Sequence, residues 1–303
     1  PYLEVSGARF DQPLDIISNA LSARLEEALV SLWSLSPAPA RPALKQVFSR
    51  WEAHDIKAII RGISKGVRRE DILGALIPAG EFGKGPLGVL AGSPGIKELA
   101  GFLDAWGSPY AGPVKKGLSA YLKASSTIEM EVNVDRFAFG LAQMQGSGAL
   151  SDSVLKEISA LRVDMRNSLT LLNTAGHGYQ SIPSERLFVE GGSITKKVFA
   201  ALLKSDGRIQ LLRGLSGEVL DPGLRETLQS ADPADLVFLE ESFDAIIERR
   251  LLRAAAVEPL GIYLSAAFAY TIVREMKNLS LIARAKGFGI PDDEVARLLM
   301  SMH

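Results

Sequence analysis

The sequence predicts an all-α protein. Apolar residues recur at intervals of three and four along most of its 303 residues, and β-branched residues rarely cluster with period two. A third observation concerns organisation: one helical signature is written three times at nearly equal intervals.

The elements follow in order. In LDIISNALSARLEEALVSLW, Leu14, Ile17, Leu21, Leu25 and Leu29 make one stripe, with Arg24, Glu26 and Glu27 off it. That is a helix with one buried face. SPAPARPALK (36–45) holds three prolines and reads as the joint to a second helix. GEFGKGPLGVLAGSPG (80–95) has six glycines in sixteen residues, which predicts a loop or a set of short helices. Gly191 and Gly192, after ERLFVE, stand to the second copy of the signature as Gly80 stands to the first. DLVFLEESFDAIIERRLLRAAA repeats the amphipathic style with Leu236, Leu239, Phe243, Ile246 and Ile247, and Asp232-Pro233 reads as its start. PLGIYLSAAFAYTIV (259–273) is free of charge but spans fifteen residues. A bilayer span needs about 20, so it reads as a buried helix.

Composition narrows the function classes. Hydrophobic residues make up 47% and charged residues 23%, ample for a sizeable core. A net charge of −1 supplies no global field to recruit nucleic acid or an anionic membrane. The absence of cysteine removes disulfides, thiolate catalysis and thiolate metal sites. The three histidines, His54, His177 and His303, show no metal-binding spacing. His54 reads as a helix-face residue and His177, in AGHGYQ, as part of a helix C-cap. GEFGKG lacks phosphate-loop spacing, with Gly85 where a hydroxyl belongs, and GGSITKK has no Gly before its lysine. Neither G-x-S-x-G nor H-E-x-x-H occurs. KGVRRE and IERRLLR read as solvated faces. The expectation is a protein with no catalytic residues, cofactor or metal, and with neither nucleic acid nor a small molecule as partner.

The repeat supplies the positive signal. With Asp55, Asn167 and Asn278 as anchors, the intervals from 55 to 167 and from 167 to 278 are equal to within a single position. Three places before each anchor stands an acid: Glu52, Asp164 and Glu275. Six places after come Arg61, Asn173 and Arg284. Past the following glycine a new helix begins each time, in VRREDILGALI, IPSERLFVE and IPDDEVARLLM. There an acid and an apolar residue recur three and five places after Val67, Ile182 and Ile290. At about 100° per residue, the acid falls inside the arc of the apolar positions, not on the solvated face. A carboxylate placed there needs partners, supplied by free N–H groups at a neighbouring helix start or by an Arg or Lys. Glu52, Asp55, Asp164, Asn167, Glu275, Asn278 and Arg284 are therefore expected to be structural repeat positions that fix how helices register. The period divides the chain into units at 1–80, 81–192 and 193–303. The first is about thirty residues short, so either a leading helix lies outside this sequence or the unit is abbreviated.

At these three helices the chain resembles the C subunit of the archaeal and bacterial vacuolar-type (A/V-type) ATPases, known as the d subunit in the eukaryotic pump. The residues that carry the resemblance are EAHDIKAIIRG from Glu52, DMRNSLTLLNTAG from Asp164, EMKNLSLIARAKGFGIPDDEV from Glu275, and LFVEGGSI. The last helix is the most specific, with its E-x-x-N-L, Arg284, Gly287 and Gly-x-Pro exit. The resemblance implies three similar helical domains in a pseudo-threefold funnel, lying on the cytoplasmic face of the membrane as a peripheral member of a membrane complex. It implies two partners, the membrane proteolipid rotor ring and the central-stalk subunits, and a non-catalytic role in carrying torque between ATP hydrolysis or synthesis and ion transport. The sequence departs from the family in three places. PYLEVSGARF stands where members usually have an aromatic-rich basic helix, Asp55 replaces the usual Asn, and Asn173 replaces a basic residue. Two other readings stay open: a helical-repeat adaptor unrelated to the pump, and an enzyme in which the three acids, or His177 and an acid, converge in one pocket.

Overall fold

The computed structural model describes residues 13–80, 82–144, 150–175, 183–205 and 207–299. Among these, every regular element is helical. In chain order they are α1 (Pro13–Leu35), α2 (Arg41–Ser64), α3 (Arg69–Leu73), α4 (Lys84–Ala91) and α5 (Ile96–Ala105). Next come α6 (Ala111–Ala124), α7 (Ile128–Met144), α8 (Leu150–Thr174), α9 (Ser184–Leu187) and α10 (Lys196–Leu202). The last are α11 (Arg208–Glu218), α12 (Pro222–Ser230), α13 (Leu236–Val257), α14 (Ile262–Gly287) and α15 (Asp292–Leu298).

Local chemistry sets several boundaries differently from the sequence reading. The proline-rich joint is shorter than expected: a 3-10 turn over Ala38–Ala40 leads directly into α2. Pro42 falls in the first turn of α2, where a missing N–H costs nothing. The start of α13 is Asp235, not Asp232: the Asp235 carboxylate accepts from Phe238 N at 2.8 Å, while Asp232 closes a turn onto Ala234 N. The glycine-rich stretch does build a helix, α4, whose first N–H, on Lys84, donates to Glu26 of α1 at 2.9 Å. Glu26 lies off the apolar stripe of α1, and this bond is its use.

By contact the chain forms two compact units. The first comprises residues 1–99 and 264–303. Its core holds Leu25, Leu29, Phe48, Trp51, Ile56, Ile59 and Ile60, all buried. Trp33 of α1 meets Phe48 of α2, and Trp51 of α2 meets Tyr270 of α14 with ring centroids 5.2 Å apart. Arg50 lies over the same Tyr270 ring. Gly287 of α14 passes so close to Leu14 of α1 that a Cβ there would lie 2.7 Å from Leu14 Cδ1.

The second unit comprises residues 100–263. α6 and α7 form a tight hairpin, turned at Ser125 in the left-handed conformation. Gly117 lets them approach: a Cβ there would meet the Met130 backbone N at 2.5 Å. Against them lies α8, which also packs on α13 and α11. Arg166 of α8 pairs with the buried Asp135 of α7. Arg250 of α13 pairs with Glu157 of α8 and with Asp221, whose other oxygen caps α12 by accepting from Leu224 N.

Helix boundaries recur with the period of the sequence signature. Lys84 to Lys196 (α4 to α10) and Ile96 to Arg208 (α5 to α11) both repeat the interval from Asp55 to Asn167. Ala111 to Pro222 (α6 to α12) repeats that from Asn167 to Asn278. The apolar residue expected to repeat in the short exit helix is buried in each case: Ile72, Leu187 and Val295.

Candidate functional site

The repeated acid and amide sit on α2, α8 and α14. In the second copy their geometry is complete. The Asp164 carboxylate accepts three hydrogen bonds: from Ser193 N at 2.9 Å, Ser193 Oγ at 2.6 Å and Ile194 N at 2.9 Å. One turn later Asn167 makes two bonds to a single residue. Its Oδ1 accepts from Val189 N at 3.0 Å, and its Nδ2 donates to Val189 O at 2.8 Å. Together the two side chains pin the segment between α9 and α10 against α8. Both are buried, so the bonds replace water that the main chain of this segment has lost. Ser193 passes the link on, since its Oγ also accepts from Leu220 N ahead of α12.

The first copy repeats the arrangement. Asp55 Oδ1 accepts from Ile77 N at 2.8 Å, and Ile77 follows Asp55 at the same sequence separation as Val189 follows Asn167. Glu52 is fully buried and lies against Gly80, as Asp164 lies against Gly192, again at matching separation. A Cβ on either glycine would overlap the acid's carboxylate oxygen. Gly80 also has φ +66°, in the left-handed region. This explains the matched placement of the glycines in the sequence: the loop must pass directly over a buried carboxyl.

The third copy differs. Asn278 is buried on α14, but Glu275 is exposed. The expectation that all three acids face inward fails at Glu275. In copies one and two the acid is covered by a loop that follows the exit helix, whereas the Glu275 side chain is turned to the exposed face of α14. Arg61, Asn173 and Arg284 are all exposed. Asn173 Nδ2 donates to Leu169 O of its own helix. His54 is exposed beside Ala75 O, at 3.3 Å, while His177 and His303 lie outside the described residues.

A shallow cleft of about 450 Å³ adjoins the second clamp, lined by Arg136, Phe139, Gly140, Glu185, Phe188, Val189, Glu190 and Lys196. Its cations are already engaged. Arg136 donates to Phe188 O at 2.8 Å and to Glu185 O, and Lys196 pairs with Glu185 at 3.4 Å. Burial lowers the Arg136 pKa, with Glu190 opposing. Arg136 thus holds the same loop from α7 that Asp164 and Asn167 hold from α8. The sequence reading did not single out Arg136 or Ser193; the only signal for them was the repeated glycine that places the loop.

Glu52 and Asp164 belong to different units, and Glu275 is exposed. The buried acids are anchoring groups for their own loops. Among the described residues no group of three or more His, Asp or Glu side chains is placed to hold a metal ion.

The sequence matches the family model described as ATP synthase (C/AC39) subunit over residues 2–298. The chain belongs to the C/AC39 family. The C subunit of the A-type ATP synthase of Haloquadratum walsbyi is 25% identical over 297 residues, covering 97% of this chain and 84% of the relative. That of Methanothermobacter thermautotrophicus is 26% identical over 289 residues, covering 93% and 74%. The C subunit of the V-type ATP synthase of Deinococcus radiodurans is 24% identical over 281 residues, covering 93% and 74%. In this C/AC39 chain the loop over α2 carries a neutral apolar run, Leu76, Ile77 and Ala79, whereas the loop over α8 carries Glu190 and Ser193.

Proposed function

We propose that this protein is the non-catalytic rotor subunit of a V/A-type ATPase, joining the central stalk to the membrane proteolipid ring. It transmits torque between ATP hydrolysis or synthesis and the movement of protons or sodium ions. The observation that carries this reading is the family match across nearly the whole chain. The family match also displaces the unrelated adaptor.

Physical sense supports the role. A torque element has to be stiff, and in each unit a buried side chain on a long helix locks a loop to it: Asp55 on α2 in the first, Asp164 and Asn167 on α8 in the second. No helix among the described residues is long and apolar enough to cross a membrane. In this reading the chain is a peripheral member of the complex on its cytoplasmic face, and the pseudo-threefold funnel of repeats receives the stalk.

The test is binding of purified chain to the isolated proteolipid ring in detergent and, separately, to the stalk subunits. The expected outcome is a stable complex with each. Failure to bind either one overturns the coupling role.

A further inference from the structure

Two hydrogen-bonding schemes at equivalent positions do not match in chemistry. Asn167 presents a carbonyl acceptor and an N–H donor to Val189, and both are used. Asp55 occupies the same place in the first copy and makes the same acceptor bond, to Ile77 N. Its second oxygen, Oδ2, is buried and has no hydrogen-bond partner among the described residues. An ionised carboxylate has only acceptors, so it cannot bond a carbonyl oxygen. A protonated carboxyl has one donor and is close in shape to an amide.

We propose that Asp55 is held as the neutral carboxylic acid in the folded protein, and that its Oδ2–H donates to the main-chain carbonyl of Ile77. A proton on Asp55 then does what the Nδ2–H that reaches Val189 O does on Asn167. The inference concerns the first copy alone and does not depend on the partners proposed above.

The surroundings favour the neutral form. Asp55 is wholly inaccessible, between the buried Trp51, Ile56 and Ile59 on its own helix. Burial pushes its pKa well up; the bond from Ile77 N opposes this, and the nearby Glu52 adds to it. The charged groups on the packed elements do not reverse that balance. On α3, Arg69 is engaged with Gly88 O, and Asp71 pairs with Arg68. Glu70 is exposed, as is Lys84 of α4. On α14, whose Tyr270 touches Trp51, the charged residues in the following turns are Arg274, Glu275 and Lys277. Glu52, one turn earlier on α2, is the charge that bears on Asp55.

The sign of the consequence is fixed. In the unfolded chain an Asp titrates at about 3.9. The folded value is raised, so between the two the unfolded state is ionised while the folded state keeps its proton. Asp55 therefore contributes its full stability below the unfolded value, and this contribution is lost as pH rises toward the folded value. Asn has no such dependence.

The experiment compares wild type with Asp55→Asn. Thermal unfolding is followed from pH 4 to pH 8. The expected result is a Tm advantage for the variant that grows by several degrees across that range. A pH-independent difference, or a variant that is less stable at pH 8, overturns the proposal. Isotope-edited infrared spectroscopy on wild type at pH 7 gives a readout independent of the variant's stability. A protonated carboxyl C=O band that disappears in Asp55→Asn is expected, and its absence from wild type overturns the proposal.

Discussion

Asp164 and Glu275 occupy equivalent positions in the repeat and have opposite environments. Asp164 holds three donors in a buried site, so Asp164→Ala orphans them together. The expected loss is about 3 kcal/mol, measured by denaturant unfolding. Glu275→Ala is expected to change stability by no more than about 0.5 kcal/mol, because the side chain is exposed. Equal effects from the two would show that the burial difference does not govern their roles. The sequence made the acid-x-x-amide pattern legible because helical spacing puts the acid beside the apolar face. It did not reveal which acid would be covered, because the cover comes from a loop well beyond the anchor helix.

Among the elements, the loops that cross the anchor helices depend on glycine for clearance. Gly192→Ala places a methyl group on the Asp164 carboxylate and is expected to cost about 1–3 kcal/mol. Gly117→Ala, which drives a Cβ into the Met130 backbone, is expected to cost at least as much, since backbone yields less than a side chain. Gly217 in α11 is the control: open space surrounds it, and Gly217→Ala is expected to stabilise by up to about 1 kcal/mol through helix propensity. Melting temperatures of the three variants check the ordering. Helix identity was readable along the chain from apolar period. Helix starts were less so, as α13 shows: both Asp232 and Asp235 are capping residues by type, and only the backbone path selects Asp235.

For the whole molecule, the proposed coupling role makes a prediction about the complex. A pump reassembled without this chain is expected to retain ATP hydrolysis in its catalytic sector and to lose ATP-driven ion movement. Simultaneous ATPase and ion-flux assays on reconstituted vesicles measure both. Ion movement that persists without the chain would contradict the proposal. The contact-based grouping into residues 1–99 with 264–303, and 100–263, brings the first and third anchor helices into one unit. Nothing in the linear period announces that, although Trp51 and Tyr270 are the rings that meet there.

The sequence by itself determined the all-α class, the even spacing of the repeat and, through its repeated helices, the resemblance to the C/AC39 family. These are properties of local spacing, which a helix reads at about 3.6 residues per turn without reference to the rest of the chain. Only the tertiary structure decided how each repeated residue is used. Asp164 accepts three donors, Asp55 accepts one donor on Oδ1 while its buried Oδ2 accepts none among the described residues, and Glu275 is exposed. A side chain's chemistry in a buried site is set by the groups that reach it, and those come from loops whose positions follow from packing.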